Sequence, residues 1–279
     1  MRYVVAHEFN HASQFRYNAA KEVAERWWYE NTATWMSNVC YPDDNLYVGF
    51  LYRYPTPLNR PDLPITNDFY VSNGDTSRNY VYAGAIWPMF LHEYYNIACP
   101  RRVWERIGQR GKDADTLIDI GYVLGMYYKS NLAEALRQYA VWRYFTGEER
   151  ADTVHYFSES HLWPTSAVLR THSEYPDTGD QGDRAPSGPG GANFIKFLRQ
   201  GDEEALELSF DGQDGFNWRA TMVGCRNPGQ SVERKIDLDA GNQGSAKMGW
   251  DGNDHIVLVP VVTQWPPPAD SLTYTYTAE

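Results

Sequence analysis

The sequence lacks the patterns of several large functional classes. No stretch reaches the roughly 18 consecutive apolar residues that a membrane-spanning helix requires, so no transmembrane segment is predicted. Basic residues form no stripe and the formal net charge is −11, which argues against nucleic-acid binding. The G-x-S-x-G nucleophile motif of α/β-hydrolases does not occur. These absences direct attention away from channels, nucleic-acid-binding proteins and serine hydrolases of that fold.

Cysteine is also scarce. The three cysteines, Cys40, Cys99 and Cys225, are far apart and form no C-x-x-C pair. One disulfide with one free thiol and three buried thiols both remain open, so the cysteines do not define a compartment. Residues 1–6 are too short to form a signal peptide ahead of the first helix.

Hydrophobic residues are abundant, at 42% of the chain, and aromatic residues make up 15%. This content is enough for a packed core and argues against disorder. Apolar residues at helical spacing predict helices through most of residues 1–163, including Val4, Val5, Phe9, Ala12 and Phe15 in the first helix. Later helices are predicted at 79–96, with Pro88 as a kink or start, and at 101–110, 113–129 and 131–147. The Pro-, Asn- and Asp-rich stretch 41–78 is predicted to be a long loop.

The pattern changes after residues 174–192, which are rich in Pro, Gly, Asp and Ser. Alternating apolar and polar residues then predict short strands, at 192–198, 205–212, 216–223, 231–238, 255–263 and 271–278. The prediction is therefore an α+β protein of more than one domain. A mostly helical core spans 1–173, a linker spans 174–192, and a small antiparallel β-sandwich spans 193–279.

The segment VVAHEFNHASQ contains His7, Glu8 and His11 in the order H-E-x-x-H. Residues four apart on a helix share one face, so both imidazoles can bind one metal ion, with Glu8 beside the position of a bound water. Zinc lowers the pKa of such a water towards about 7, and a carboxylate can accept its proton. A second segment, HEYYN at 92–96, has Asn96 in place of the second histidine, so no metal site is predicted there.

A catalytic zinc requires a third protein ligand, and Glu30 is the candidate. Eighteen residues separate Glu30 from His11, about the number used by three helical turns, a bend and an antiparallel return. Taken by itself, Glu30 is also consistent with an exposed acidic residue on a helix, because most glutamates in proteins are exposed. The two histidines at the fitting distance favour the zinc ligand.

The H-E-x-x-H motif, the 18-residue gap and the segment WYENTATW together resemble the gluzincin zinc metallopeptidases. WYENTATW is similar to the W-x-x-E-x-x-A segment of the single-zinc aminopeptidases. AHEFNHASQFRY with WWYENTATWMSNVCYPD looks closer still to a group of secreted bacterial metalloproteases, in which a helical core precedes a β-rich tail. The resemblance implies a zincin-like catalytic core with Zn²⁺ on His7, His11 and Glu30, and Glu8 as general base. It also implies a peptide or protein substrate and a location outside the cell or in its envelope.

The resemblance further implies a Tyr or His that stabilises the oxyanion from a later helix. Four residues are candidates: Tyr80, Tyr82, His92 and His155. Tyr82 ranks first, because YVYAGAIW resembles the downstream helix of the family, although a buried core aromatic is the competing expectation. A metal-binding histidine usually donates its other N–H to a further acceptor, and Asn31 and Thr34, close to Glu30 in the sequence, are the two candidates for it.

The front of the chain departs from the family pattern. In gluzincins a sheet precedes the active-site helix and its edge strand holds the substrate, whereas only MRYVVA stands there in this sequence. The expectation is either that the chain is a fragment or that its substrate cleft is built differently. The alternative function is therefore a catalytically inactive or truncated zincin-like protein that acts as a secreted binding or adhesion module.

Two segments of the tail, 237–242 and 250–255, are rich in Asp, Asn and Gly. Neither matches the calcium-binding loop of EF-hands, and turn chemistry explains their composition without a metal. His155 and His161 are six residues apart and do not share a helix face, so each is expected to be structural or exposed.

Overall fold

The computed structural model describes residues 1–68, 79–226, 229–267 and 271–279. The chain is an α+β protein in which an N-terminal helical region precedes two β-sheets. It divides into two compact units. The first, here called the helical unit, comprises Met1–Pro57 and Ile65–Ala135, and the second, the sheet unit, comprises Leu58–Pro64 and Leu136–Glu279.

Short and medium-length helices form the helical unit. They are α1 (Arg2–Asn18), α2 (Arg26–Cys40), α3 (Val48–Leu51), α4 (Asn79–Ala83), α5 (Ile86–Phe90), α6 (Ala98–Arg110) and α7 (Thr116–Tyr128). A further helix, α8 (Leu132–Tyr144), continues into the sheet unit. Aromatic side chains from α2 and α5 fill the core, and Trp28 and Trp87 are almost completely buried. Asp115 caps α7 by accepting a hydrogen bond from the backbone N–H of Ile118.

The predicted helix at 79–96 is divided in the structure into α4, α5 and a π-helical turn at Leu91–Tyr95. Pro88 lies in the first turn of α5. Backbone N–H groups in the first turn have no acceptor within the helix, so a proline there removes no helical hydrogen bond. The predicted loop at 41–78 contains α3, and its residues 69–78 lie outside the described ranges. The helix predicted to end at Gly147 ends earlier, at Tyr144.

Helix α1 exposes most of the apolar residues that predict it. Val5 and Phe9 are 60% and 73% exposed, whereas Tyr3, Gln14 and Asn18 are buried. Polar side chains occupy the inner face because they find hydrogen-bond partners there, on α2 and on the turn after α6. The helical period was therefore informative about the helix but not about which face is buried.

The sheet unit contains a five-stranded and a four-stranded sheet. The first has the order β1-β3-β8-β5-β6 and the second the order β2-β9-β4-β7. The strands are β1 (Arg170–His172), β2 (Asp177–Asp180), β3 (Ile195–Leu198), β4 (Ala205–Gly212), β5 (Trp218–Cys225), β6 (Val232–Ile236), β7 (Gln243–Gly249), β8 (His255–Val262) and β9 (Tyr274–Ala278). All the described pairings are antiparallel except β1 with β3, which is parallel.

Side chains from both sheets share one hydrophobic core. Strand β4 alternates buried and exposed residues, as a strand with one solvated face does. Strands β5 and β8 are buried on both faces, because the C-terminal part of α8 covers the outer face of the five-stranded sheet. Among the packed residues are Val141 on α8 and Val257 on β8.

The stretch predicted as a linker, 174–192, is part of the sheet unit. Its residues Asp177–Asp180 form β2 and pair with β9, and the backbone N–H of Ser187 donates to Asp62 O. The chain thus divides after Ala135 and not at the predicted composition break. Strand β7, which is rich in Gly, Ser and Lys, was not predicted at all.

All three cysteines are free thiols, with Cys40 exposed and Cys99 and Cys225 buried. Burial raises the pKa of both buried thiols to about 12. None of the helices in the described ranges has the length and apolar composition needed to cross a bilayer.

Candidate metal centre

Three side chains from α1 and α2 converge at one point of the helical unit. His7 Nε2 lies 3.1 Å from both Glu30 Oε2 and His11 Nε2, and His11 Nε2 lies 3.5 Å from Glu30 Oε2. The three side chains are 13 to 19% exposed, so the cluster is sheltered but reachable from solvent. Within the described ranges, these residues form the single group of three or more His, Cys, Asp or Glu side chains close enough to share a metal ion.

The pairing of α1 with α2 creates this cluster. The 3₁₀ helix Ala19–Lys21 follows α1, and the chain then returns so that α2 lies against α1. Near one end of the pair, the Tyr3 hydroxyl donates a hydrogen bond to Thr34 O over 3.2 Å. The 18-residue separation in the sequence is thus the length of this reversal.

The separations of the ligand atoms fit a tetrahedral zinc ion. Zinc bonds of about 2.0–2.1 Å to imidazole nitrogen and carboxylate oxygen place atoms at tetrahedral corners about 3.3–3.4 Å apart. The three observed separations, 3.1, 3.1 and 3.5 Å, lie on either side of that value. Two imidazoles and one carboxylate leave a fourth corner for water or substrate, as catalytic zinc sites do. The residues present therefore fit Zn²⁺.

Gln14 fixes the tautomer of His11, and the sequence had not singled it out. Gln14 Nε2 donates to Tyr29 O over 2.9 Å, and a backbone carbonyl can only accept. The amide oxygen of Gln14 therefore faces His11 Nδ1, at 2.7 Å, and that nitrogen must be the donor. In neutral His11 the lone pair is then on Nε2, which is the atom that points into the cluster.

Gln14 is itself held by a buried network. It is 2% exposed, and its Nε2 also lies 2.9 Å from Thr32 Oγ1. Thr32 donates to Trp28 O over 2.7 Å and accepts from the indole N–H of Trp104 over 3.2 Å. Gln14 stands three residues after His11, so both face α2, and this helical spacing is the one signal in the sequence that could have pointed to it.

The charged forms of Glu30 and His11 stabilise each other. Burial would raise the pKa of Glu30, but hydrogen bonds and charges from His11 and His7 outweigh burial and lower it to about 2. For His11, burial lowers the pKa, while the hydrogen bonds to Glu30 and Gln14 raise it by more. The carboxylate of Glu30 is therefore ionised at neutral pH, which is the form that binds a metal.

Glu8, the predicted general base, is exposed on the same helix as the two histidines. Together with His7 it lines a cavity of about 250 Å³ that also contacts Tyr82. A larger cavity, of about 500 Å³, lies on the other flank of α1 and contacts neither Glu8 nor the three converging side chains. Of these two cavities, the smaller one therefore adjoins the three converging side chains, through His7.

Of the four candidates for oxyanion stabilisation, Tyr82 lies beside His7, with 5.8 Å between their ring centroids. Tyr80 is buried in the core, at 1% exposure. His92 accepts a 3.4 Å hydrogen bond from a tryptophan of α2, and burial lowers its pKa. His155 belongs to the sheet unit.

The two residues predicted to support the ligands are placed differently. Thr34 Oγ1 lies 3.5 Å from His7 Nδ1, at the outer limit of a hydrogen bond. Asn31 lies against Gly84, where its side chain occupies the space that a Cβ of that residue would need. Consecutive helical residues point about 100° apart, so the residue next to Glu30 in the sequence faces elsewhere.

Asp68 is a further acid near Glu30 that sequence reasoning missed. Burial raises the pKa of Asp68, the charge of Arg26 lowers it and the charge of Glu30 raises it. Its buried Oδ1 has no hydrogen-bond partner among the described residues. Asp68 lies in the stretch rich in Pro, Asn and Asp, where no periodicity indicated its position.

The turn-forming acids of the tail behave as predicted from turn chemistry. Asp239 Oδ1 accepts hydrogen bonds from the backbone N–H groups of Gly241 and Gln243, at 2.8 and 2.9 Å. These bonds explain an Asp at that position without a cation.

No family model matches this chain, and no curated protein matches it either. Among solved structures, the pre-peptidase C-terminal domain of a collagenase from Bacillus anthracis matches with 9% identity and a TM-score of 0.30, covering 42% of this chain and 100% of that one. Tripeptidyl peptidase 2 matches with 11% identity and a TM-score of 0.27, covering 46% of this chain and 12% of that one. Similarity this low carries no argument about function.

Proposed function

We propose that this protein is a zinc-dependent metallopeptidase that binds its metal through His7, His11 and Glu30. The observation that carries the proposal is the convergence of three ligand atoms at 3.1, 3.1 and 3.5 Å, with the tautomer of His11 set by Gln14. A peptide as the substrate, a zincin-like core and a location outside the cell or in its envelope come from the sequence resemblance. The two packed sheets are then the β-sandwich of such a protein.

When bound at these residues, zinc would supply a Lewis acid that polarises a carbonyl and lowers the pKa of water to about 7. Glu8 accepts the proton of the attacking water and returns it to the leaving amine. Its position suits this role, because it follows His7 directly on α1 and its carboxylate is exposed. A carboxylate that is reachable by water and fixed on a helix is what general base catalysis requires.

Tyr82 is the residue proposed to donate a hydrogen bond to the developing oxyanion. Its ring is 5.8 Å from the ring of His7 and stacks on Phe50 with 5.0 Å between centroids. Stacking orients the ring, so the hydroxyl is held in a defined place relative to the metal ligands. A preorganised donor of this kind stabilises negative charge in the transition state.

Incubation of the full chain with a randomised synthetic peptide library tests the proposal. We expect cleavage that a chelator abolishes and added zinc restores. Glu8→Gln should lower kcat by about 10²- to 10⁴-fold, the usual contribution of a general base, while zinc content stays at the wild-type level. The control is Glu22→Gln, since Glu22 is also an exposed acid of the helical unit but lines neither cavity near α1.

The binding-module alternative gives a different result. If the chain retains zinc but leaves the library intact, and Glu8→Gln has no effect in any assay, the enzymatic proposal is wrong. A catalytically inactive zincin-like protein that acts as a secreted binding or adhesion module would then be the better account.

A further inference from the structure

The cavity beside His7 and Glu8 has apolar walls, and the proposed chemistry assigns no substrate contact to them. These apolar walls are formed by Val4 of α1, Leu46 in the turn before α3, and Phe50 of α3. Because His7 and Glu8 line the same cavity, a side chain inserted here would lie close to the bond that would be cleaved.

Leu46 and Phe50 reach this cavity because the chain after α2 turns back towards the start of α1. Arg2 Nη2 donates to Asp44 Oδ1 over 2.7 Å, and the Arg2 guanidinium lies 5.1 Å from the centroid of the Tyr41 ring. These contacts hold the turn against α1. Phe50 is fixed from the other side by its stacking on the ring of the proposed oxyanion donor.

The exposed apolar surface of these walls favours an apolar occupant. Val4 is 55% and Leu46 52% exposed, which is unusual for two large apolar side chains that face one concavity. Covering this surface with an apolar group is favourable, because water is released from the cavity wall and from the group itself. An apolar cavity of about 150 Å³ holds a benzene ring, so about 250 Å³ is sufficient for a leucine or phenylalanine side chain.

The charges around the cavity argue against a charged occupant. Among the described lining residues, Glu8 is the one acid and there is no Lys or Arg. Arg53 lies over the Phe50 ring, 5.3 Å from its centroid, and is not part of the lining. An acidic substrate side chain would meet Glu8 and be repelled, and a basic one would pair with the carboxylate needed as base.

We propose that this cavity is the specificity pocket of the enzyme, and that it receives a leucine-, methionine- or phenylalanine-sized side chain of a residue flanking the cleaved bond. This inference rests on the proposed function. It assigns Leu46 and Phe50 to substrate selection. It predicts that a substitution at either position changes which substrate side chain is preferred.

Mass spectrometry of the cleavage products from a randomised peptide library tests the pocket. In the wild type, we expect one position flanking the cleaved bond to prefer Leu, Met or Phe over Ala by about tenfold or more. Leu46→Glu should shift that position towards Lys and Arg, and Leu46→Lys should shift it towards Asp and Glu. Phe50→Ala should shift it towards larger aromatic residues, because truncation enlarges the cavity.

Tyr52→Glu is the matched control, because Tyr52 is 65% exposed, follows α3 and does not line the cavity. Its cleavage profile should be that of the wild type. Cleavage with an unchanged profile in both Leu46 variants would overturn the pocket and leave the peptidase proposal standing. Failure of every form to cut any peptide, despite bound zinc, would overturn both.

Discussion

At the residue scale, the three ligand candidates could be proposed from the sequence because their chemistry fixes their spacing. His7 and His11 must be one helical turn apart to share a metal, and Glu30 must follow after the length of a helix reversal. The structure brings all three together. Gln14 was not proposed, because a lone glutamine has no pattern of its own and its importance depends on Tyr29 O, which only the fold brings near.

The role of Gln14 is testable through zinc affinity. Gln14→Leu keeps the size of the side chain but removes the acceptor for His11 Nδ1, so we expect the zinc dissociation constant to rise about 10- to 100-fold. Competition with a chromophoric chelator measures the constant. Gln14→Glu keeps an acceptor next to His11 but loses the donor to Tyr29 O, so it should recover only part of the affinity.

Ser13→Ala provides the control for Gln14, because Ser13 is exposed on the same helix and its hydroxyl donates to Phe9 O over 3.4 Å, away from the metal ligands. Circular dichroism of each variant verifies that α1 remains folded. Equal zinc affinity in the wild type and Gln14→Leu would show that the hydrogen bond to His11 has no role in metal binding.

At the element scale, strong local patterns predicted helices and strands well, and tertiary contacts decided the rest. The strands β4, β5 and β8 follow from alternating or continuous apolar residues. Strand β7 has low intrinsic strand propensity and forms because β4 pairs with it along seven residues of register. The exposed Val5 and Phe9 of α1 show the same limit, since a helical period does not say which face another element covers.

The packing of α2 against the turn between α4 and α5 depends on a glycine. A Cβ at Gly84 would overlap the side chain of Asn31. Asn31 is buried, and it follows Glu30 directly in the sequence. Gly84→Ala should therefore lower the free energy of unfolding by about 1–3 kcal/mol through overpacking. Urea titration followed by tryptophan fluorescence measures the change.

Gly49→Ala is the matched control, because nothing lies within 4 Å of a Cβ at Gly49 on the exposed side of α3. Alanine in a helix is favoured over glycine, so this variant should be neutral or slightly stabilised. Equal stability of the two variants would mean that α2 does not pack on Gly84 as described.

At the scale of the whole molecule, the sheet unit contains a buried charge network that predicts how its stability depends on pH. His155 Nε2 lies 2.6 Å from Glu233 Oε1, and His155 Nδ1 lies 2.6 Å from Ser231 Oγ and 3.4 Å from Asp152 Oδ2. Burial lowers the pKa of His155, but hydrogen bonds and charges from the two acids outweigh it and raise the pKa to about 9. Against the effect of burial, hydrogen bonds from His155 lower the pKa of both acids to about 2, together with Ser231 for Asp152 and the Arg137 ion pair for Glu233.

A histidine whose pKa is higher in the folded state stabilises the fold fully below its unfolded pKa of about 6.5. The stabilisation is lost as pH rises through about 9, with a slope of at most about 1.4 kcal/mol per pH unit. The acids act in the opposite direction, since their contribution is present above about pH 4 and lost as pH falls towards 2.

Urea unfolding between about pH 6 and pH 10 tests the contribution of His155 to stability. This range spans the pKa of His155 in the unfolded and the folded state. We expect the wild type to lose stability between about pH 6.5 and 9, and His155→Gln to be less stable at pH 6 but to show a flatter profile. His161→Gln is the control, since His161 is exposed, and it should keep the wild-type slope. Parallel profiles for His155→Gln and the wild type would contradict the charged network.

The central claim is that His7, His11 and Glu30 form one zinc site, and metal content tests it most directly. After zinc loading and dialysis of the full chain, elemental analysis should find about one zinc per chain. His7→Ala, His11→Ala and Glu30→Ala should each retain far less, while Glu8→Gln should retain the wild-type amount. Less than about half a zinc per wild-type chain, unchanged by His7→Ala, would contradict the claim.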